Sequence, residues 1–92
     1  MREIDFTSQF KKDFKREGKS RKIKNFQEVF EAIIDLLVRD ETLPRRMRDH
    51  LLKGDYTGIR ECHIAPDLLL LYFKSGENLL TLVRMGSHSE LF

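Results

Sequence analysis

The second half of the chain holds a small set of side chains that can transfer protons or bind phosphate: His50, His63, Asp67, His88, Arg60 and Arg84. Imidazole can accept a proton and then donate one near neutral pH. Cleavage of RNA by its own 2′-hydroxyl needs such groups, because a base removes the 2′ proton and an acid protonates the departing 5′ oxygen. Guanidinium groups stabilise the charge that builds on the phosphate. This residue set therefore indicates phosphodiester cleavage that needs no metal ion.

The spacing suggests one contact within this set. His63 lies near the end of a predicted strand and Asp67 lies in the turn that follows, so a tight turn at Pro66 and Asp67 would leave Asp67 able to orient or charge His63. His50 precedes this strand in a loop, and His88 follows the last strand just after Gly86. Spacing alone leaves open whether the histidines converge.

Other chemistries fit the sequence less well. Neighbours on a strand point to opposite faces, so Cys62 and His63 do not form a nucleophilic pair, and Arg60 faces away from His63 unless a bulge intervenes. The single cysteine excludes an internal disulfide and a thiolate zinc cage. A metal site of two histidines and Asp67 lacks compact ligand spacing. Each histidine can also be an ordinary surface group, and Asp67 an ordinary turn residue.

The first half of the chain predicts one strand and two helices. Apolar and acidic residues alternate in residues 2–6, as in a half-buried strand. Phe6, Phe10 and Phe14 recur every fourth residue, so residues 8–17 are predicted to form an amphipathic helix that Gly18 ends. Residues 22–39 carry apolar side chains at alternating spacings of three and four, which predicts a second helix that Pro44 terminates.

The second half predicts a loop and three strands. Residues 45–58 are irregular, which suggests a loop or a helical turn that carries Arg45, Arg46, Arg48 and His50. Residues 59–65, 68–74 and 79–85 read as strands joined by turn residues. The continuously apolar run 68–73 predicts a central strand covered on both faces. We therefore expect a single α+β domain over residues 1–92, with strand-helix-helix followed by a three-stranded antiparallel meander and the helices on one face.

Composition and charge limit the class of protein. A chain of 92 residues leaves no room for a second core. Its longest apolar run has six residues, far below the ~20 of a spanning helix, and its N-terminus does not resemble a signal peptide, so we expect no membrane association and a cytoplasmic location. Residues 1–24 carry nine basic and four acidic side chains, including Lys11, Lys12 and Lys15. This segregation favours a nucleic acid or an acidic protein as partner.

Three motifs together resemble the YafQ branch of the RelE/ParE toxin superfamily. They are D-H-x-L-x-G at residues 49–54, R-x-x-H-x-x-P-D at residues 60–67 and R-x-G-[ST]-H-x-x-L-F at residues 84–92. The resemblance implies a RelE-like fold and an endoribonuclease that cuts messenger RNA by metal-independent 2′-hydroxyl attack, usually within the ribosomal A site. It implies no cofactor, and it names as partners a cognate antitoxin, mRNA and the ribosome.

The resemblance also implies roles for individual residues. His50, His63, Asp67 and His88 match the acid and base positions, among which the histidine matched by His88 is the most critical. Arg84 matches a phosphate-contacting arginine, and Phe92 matches an aromatic end that contacts or stacks on a base. We expect Arg60 and the lysines of the first helix, Lys11, Lys12 and Lys15, to contact RNA, while the basic block also suits an acidic antitoxin segment.

Three alternatives remain open from the sequence. A non-catalytic module that binds nucleic acid or an antitoxin would use the basic surface without the histidines. A ParE-like inhibitor of DNA gyrase would use the same fold, although that branch lacks this histidine set. A metal-dependent nuclease would lose its activity in EDTA.

Overall fold

The structure, a computed structural model, describes residues 1–20, 25–54 and 57–92. Its elements, with a 3₁₀ turn at Arg45–Met47, are in chain order β1 Glu3–Phe6, α1 Ser8–Ser20, α2 Phe26–Val38, β2 His50–Leu51, β3 Arg60–Ala65, β4 Leu68–Ser75, β5 Leu79–Gly86 and α3 His88–Leu91. They confirm the α+β class and the predicted order of the long elements.

The strands form one sheet in the order β1-β5-β4-β3-β2. The pairs β3–β4 and β4–β5 are antiparallel, which confirms the predicted meander. β1 is parallel to β5, with Glu3 opposite Leu79 and Phe6 opposite Leu82. The first strand of the chain is therefore held by the last.

One face of the sheet packs against α1 and α2. Alternate residues of β4, Leu68, Leu70 and Tyr72, join a core that includes Ile33 and Leu37 of α2. The predicted phenylalanine stripe also lies here, since the Phe10 and Phe14 rings lie 6.1 and 4.9 Å from the Phe30 ring, centroid to centroid. Aromatic pairs at this separation stabilise beyond the area they bury.

A smaller cluster covers the opposite face. Leu69 and Leu71 of β4 pack there against Leu91 of α3, with Leu52 and Ile59 at the margin. Residues 68–72 are accordingly buried throughout, which confirms the expectation of a central strand covered on both faces. The three helices therefore do not share one face, because α3 lies opposite α1 and α2.

Helix α1 closes an open stretch of β5. β1 pairs only with residues 79–82 of β5, so the following residues of β5 have no strand on the side away from β4. The Thr7 hydroxyl donates to the Val83 carbonyl at 2.7 Å, the Met85 N–H donates to the Asp13 carboxylate at 3.1 Å, and Arg16 donates to the Met85 carbonyl at 3.0 Å. Side chains thus replace the missing ladder partners.

Several predicted boundaries are wrong. Helix α1 continues through Gly18 to Ser20, because Gly18 keeps a helical backbone instead of the left-handed one of a C-terminal cap. Asn25 is left-handed, with φ 61°, which places the start of α2 at Phe26; residues 22–24 of the prediction lie outside the described residues. The predicted loop contains the short strand β2, and α3 follows β5.

In the part of the chain that the structure describes, no helix is both long and apolar enough to cross a bilayer.

Candidate active site

A buried carboxylate lies between two of the predicted histidines. Pairing of β2 with β3 sets His50 opposite Glu61, and His63 follows Glu61 by two residues on the same face. Glu61 Oε1 lies 3.6 Å from His50 Nε2 and 3.5 Å from His63 Nε2. The Glu61 side chain is only 5% exposed. The structure therefore brings His50 and His63 together around an acid that the sequence reasoning missed.

The backbone of Arg48 orients the His50 ring. His50 Nδ1 lies 2.6 Å from the Arg48 carbonyl oxygen. Because a carbonyl only accepts hydrogen bonds, Nδ1 carries the proton and Nε2 is the atom that can take one up. Arg48 adopts a left-handed conformation, with φ 50°, as it ends the 3₁₀ turn. The turn thus fixes the tautomer of His50 and points Nε2 toward Glu61.

Asp67 contacts His88 instead of His63. Its Oδ1 accepts a hydrogen bond from the His88 backbone N–H at 3.4 Å. The expectation that Asp67 orients His63 therefore differs from the observed arrangement, in which Glu61 is the carboxylate beside His63. The β-bulge between His63 and Ala65 shifts the strand register just before the turn that holds Asp67.

Helix α3 presents His88. Ser87 and Glu90 form a capping box, in which Glu90 Oε1 accepts from the Ser87 N–H at 2.7 Å and Ser87 Oγ accepts from the Glu90 N–H at 3.3 Å. The ring of His88 lies 5.3 Å from that of Phe92, which is half exposed. Ser-x-x-Glu is a readable helix signal, so the sequence could have predicted α3.

Strand register brings His88 to the face of the sheet that carries His50 and His63. Leu69 of β4 pairs with His63 on one side and with Gly86 on the other. Adjacent strands lie about 4.8 Å apart, so the backbones of His63 and Gly86 are separated by about 10 Å. Helix α3 begins two residues after Gly86 and packs against Leu69 through Leu91. His88 therefore flanks the same end of the sheet from the other side.

Arg84 lies in the same transverse row of the sheet as His50 and Glu61. Leu71 pairs with Glu61 and with Arg84. The Arg84 guanidinium donates to both oxygens of Asp13, at 2.9 and 3.2 Å. Burial opposes ionisation of Asp13, but hydrogen bonds from Arg84 and from the Met85 N–H outweigh it and lower the pKa of the carboxyl to about 2. Asp13, another residue that sequence reasoning missed, thus holds Arg84 in place.

The remaining predicted RNA contacts lie elsewhere. Arg60 donates to Asp49 at 3.1 Å, and the Tyr72 hydroxyl donates to the same oxygen at 2.6 Å. This group faces the α2 side of the sheet, so Arg60 is not brought to His63. Lys11 lies over the Phe6 ring of β1, at the sheet edge opposite β2. Lys12 and Lys15 are exposed on α1.

The structure disfavours a cysteine nucleophile at these positions. Cys62 is fully buried, and burial raises the pKa of its thiol to about 12. The thiolate needed for nucleophilic attack is therefore absent at neutral pH. Among residues 1–20, 25–54 and 57–92, no group of three or more His, Cys, Asp or Glu side chains is arranged to hold a metal ion.

Comparisons with known proteins show which family the chain resembles. A family described as bacterial toxin of type II toxin–antitoxin system, YafQ, matches residues 2–92. The chain belongs to this family. The mRNA interferase toxin YafQ of Escherichia coli strain K12 is 35% identical over 92 residues, covering 99% of this chain and 96% of the relative.

Solved structures of two bacterial toxins have the same fold. A structure of the E. coli DinJ-YafQ complex matches 100% of this chain and 99% of the other with TM-score 0.85 and 33% identity. A metal-bound toxin from Helicobacter pylori matches 100% of both chains with TM-score 0.89 and 41% identity. The YafQ-like toxin resemblance inferred from three motifs is thereby confirmed.

Proposed function

We propose that this chain is an mRNA interferase, an endoribonuclease that cuts messenger RNA in the ribosomal A site by attack of the 2′-hydroxyl. The observation that carries the proposal is the placement of His50 and His63 around buried Glu61, with His88 across two strands on the same face. A base and an acid on opposite sides of a phosphodiester are what this reaction requires. The name of the E. coli relative supports mRNA as the substrate.

The geometry suggests roles for the histidines. His50 or His63 takes the 2′-hydroxyl proton at Nε2, and the negative charge of Glu61 stabilises the imidazolium that forms. The 2′ oxygen then bonds to phosphorus, and the bond to the 5′ oxygen breaks. His88 donates the proton that the departing 5′ oxygen needs, so the products are a 2′,3′-cyclic phosphate and a 5′-hydroxyl. Asp67 holds the start of α3, and hence His88, in position.

Other groups serve the phosphate and the base. Arg84 stabilises the charge that builds on the phosphate, and Asp13 keeps its guanidinium oriented. Phe92 offers an exposed ring beside His88 for a base to stack on, an interaction worth about 1–3 kcal/mol. Catalysis of this kind proceeds through side chains alone and needs no metal ion.

The protein is also proposed to be silenced by an acidic antitoxin in the cytoplasm. The E. coli relative is found in complex with DinJ. The basic N-terminal block, which includes Lys11, Lys12 and Lys15, suits an acidic partner segment or ribosomal RNA.

Translating ribosomes with a defined messenger test the proposal. Primer extension should map site-specific cuts with the wild-type protein and none with a folded His88→Ala variant. Equal cuts from both proteins, or none from either, would instead favour a non-catalytic binding module. Cleavage of free RNA that stops in EDTA would contradict the metal-free step, and altered DNA supercoiling would favour gyrase as the target.

A further inference from the structure

A cleft of about 480 Å³ opens beside His63. Arg46, Met47 and Arg48 of the 3₁₀ turn line one side, and the end of β3 from His63 to Pro66 lines the other. Its volume lies within the ~300–1,000 Å³ typical of small-ligand sites. The mechanism proposed above uses one residue of this cleft, His63, and leaves its two guanidinium groups without a role.

The two arginines are held on a rigid turn. Met47 is buried in the main core and anchors the turn, which is closed by hydrogen bonds from the Met47 N–H to Pro44 and from the Arg48 N–H to Arg45, both at 3.0 Å. Arg46 and Arg48 are exposed, and within residues 1–20, 25–54 and 57–92 neither guanidinium forms an ion pair. Unpaired guanidinium groups on a fixed backbone suit a phosphate, which they bind in a bidentate manner.

The nearby carboxylates are already engaged. Asp49 accepts from Arg60 and Tyr72, and Glu61 contacts His50 and His63. The cleft therefore offers positive charge without a competing acid from these two neighbours, which favours an anionic ligand.

The position of the cleft fixes which phosphate reaches it. β2 pairs only with Arg60 and Glu61, so the rest of β3 is open on its outer edge, where the 3₁₀ turn packs. This edge lies on the side of His63 that faces away from β5 and α3. If His63 and His50 serve the base step, the nucleotide on their side is the one whose 2′-hydroxyl attacks, and its own 5′ phosphate extends away from His88.

We infer that Arg46 and Arg48 bind the messenger phosphate one nucleotide 5′ of the cut, so that this cleft is a subsite for the upstream nucleotide. The inference rests on the proposed function. In this inference the two arginines bind a phosphate of the messenger that is cut. A phosphate of ribosomal RNA has the same chemistry and is the alternative that the experiment must separate.

A chemical double-mutant cycle separates the two sources. Ribosomes carry a messenger with either an ordinary phosphate or an uncharged methylphosphonate at the linkage 5′ of the mapped cut. The proteins are the wild type, Arg46→Gln, and Arg48→Asn, in which Asn tolerates the left-handed backbone that holds His50. Arg45→Gln is the matched control, because Arg45 belongs to the same turn and is exposed but does not line the cleft. Melting curves check that all variants are folded.

We expect the neutral linkage to slow wild-type cleavage at limiting protein about tenfold, and Arg46→Gln to slow cleavage of the ordinary messenger similarly. Combining the two changes should cause little further loss, while Arg45→Gln behaves as the wild type. Losses that multiply would show that Arg46 binds another phosphate, such as one of ribosomal RNA, and would overturn the inference, as would wild-type activity in Arg46→Gln. If the wild type cuts no messenger at all, the proposed function itself fails.

Discussion

Replacing Asp13 by Asn removes one negative charge from a site with no solvent exposure while keeping the size of the side chain. The carboxylate accepts hydrogen bonds from Arg84, Arg16, Gln9 and the Met85 N–H, so it joins α1 to β5. Its pKa falls from 3.8 to about 2 in the folded protein. At about 1.4 kcal/mol per pKa unit, this shift corresponds to about 2.5 kcal/mol of folding free energy at pH 7.

The pH dependence has a definite sign. Because folding lowers the pKa of Asp13, its contribution is complete well above pH 3.8 and is lost as the pH falls toward 2. The difference in unfolding free energy between the wild type and Asp13→Asn should be about 2.5 kcal/mol at pH 7 and about 1.3 kcal/mol at pH 3. The melting temperature at pH 7 should fall by about 10–20 °C.

Urea titrations followed by circular dichroism measure this difference at each pH. Asp35→Asn is the matched control, because Asp35 forms an exposed ion pair with Arg39 and should change stability by less than about 0.5 kcal/mol. A difference for Asp13→Asn that stays below 0.5 kcal/mol at pH 7, or that does not shrink at pH 3, would refute the reasoning.

Three further outcomes are expected. Glu61→Gln should lower the maximal cleavage rate on programmed ribosomes at least tenfold with little change in KM, because an amide does not stabilise imidazolium, and an unchanged rate would remove Glu61 from the site. Ser87→Ala should lower the unfolding free energy by about 1 kcal/mol in urea, since the N-terminal cap of α3 is lost. Cys62 should react with a thiol reagent at pH 8 only after denaturation, because burial raises its pKa to about 12; rapid labelling of the native protein would contradict that burial.

Local patterns predicted the long elements well. The continuous apolar run of β4 predicts a strand buried on both faces, and the structure shows one. The phenylalanine spacing of α1 predicts an apolar helix face, and this face packs against α2. Strand β2 was missed because two residues carry too little periodicity to separate a strand from a loop. The end of α1 was misplaced because Gly18 stays helical and does not form the left-handed cap that a glycine at this position suggested.

Sequence reasoning selected the residue types of the proposed site but missed several of the contacts that hold them. The histidines stand out in any reading because imidazole titrates near neutral pH. Glu61 could have been found from strand parity, since it precedes His63 by two residues. Its contact with His50 depends on the pairing of β2, which the sequence does not show. Asp13 and Arg84 are separated by 71 positions, so no local pattern links them.

The parallel pairing of β1 with β5 has a consequence for synthesis. Glu3 is made 76 residues before its partner Leu79 of β5. During synthesis β1 therefore lacks the neighbour that holds it until residues 79–82 have been added. The same final stretch supplies His88 and Phe92. A chain interrupted before residue 79 would lack both the strand that holds β1 and the acid proposed for cleavage.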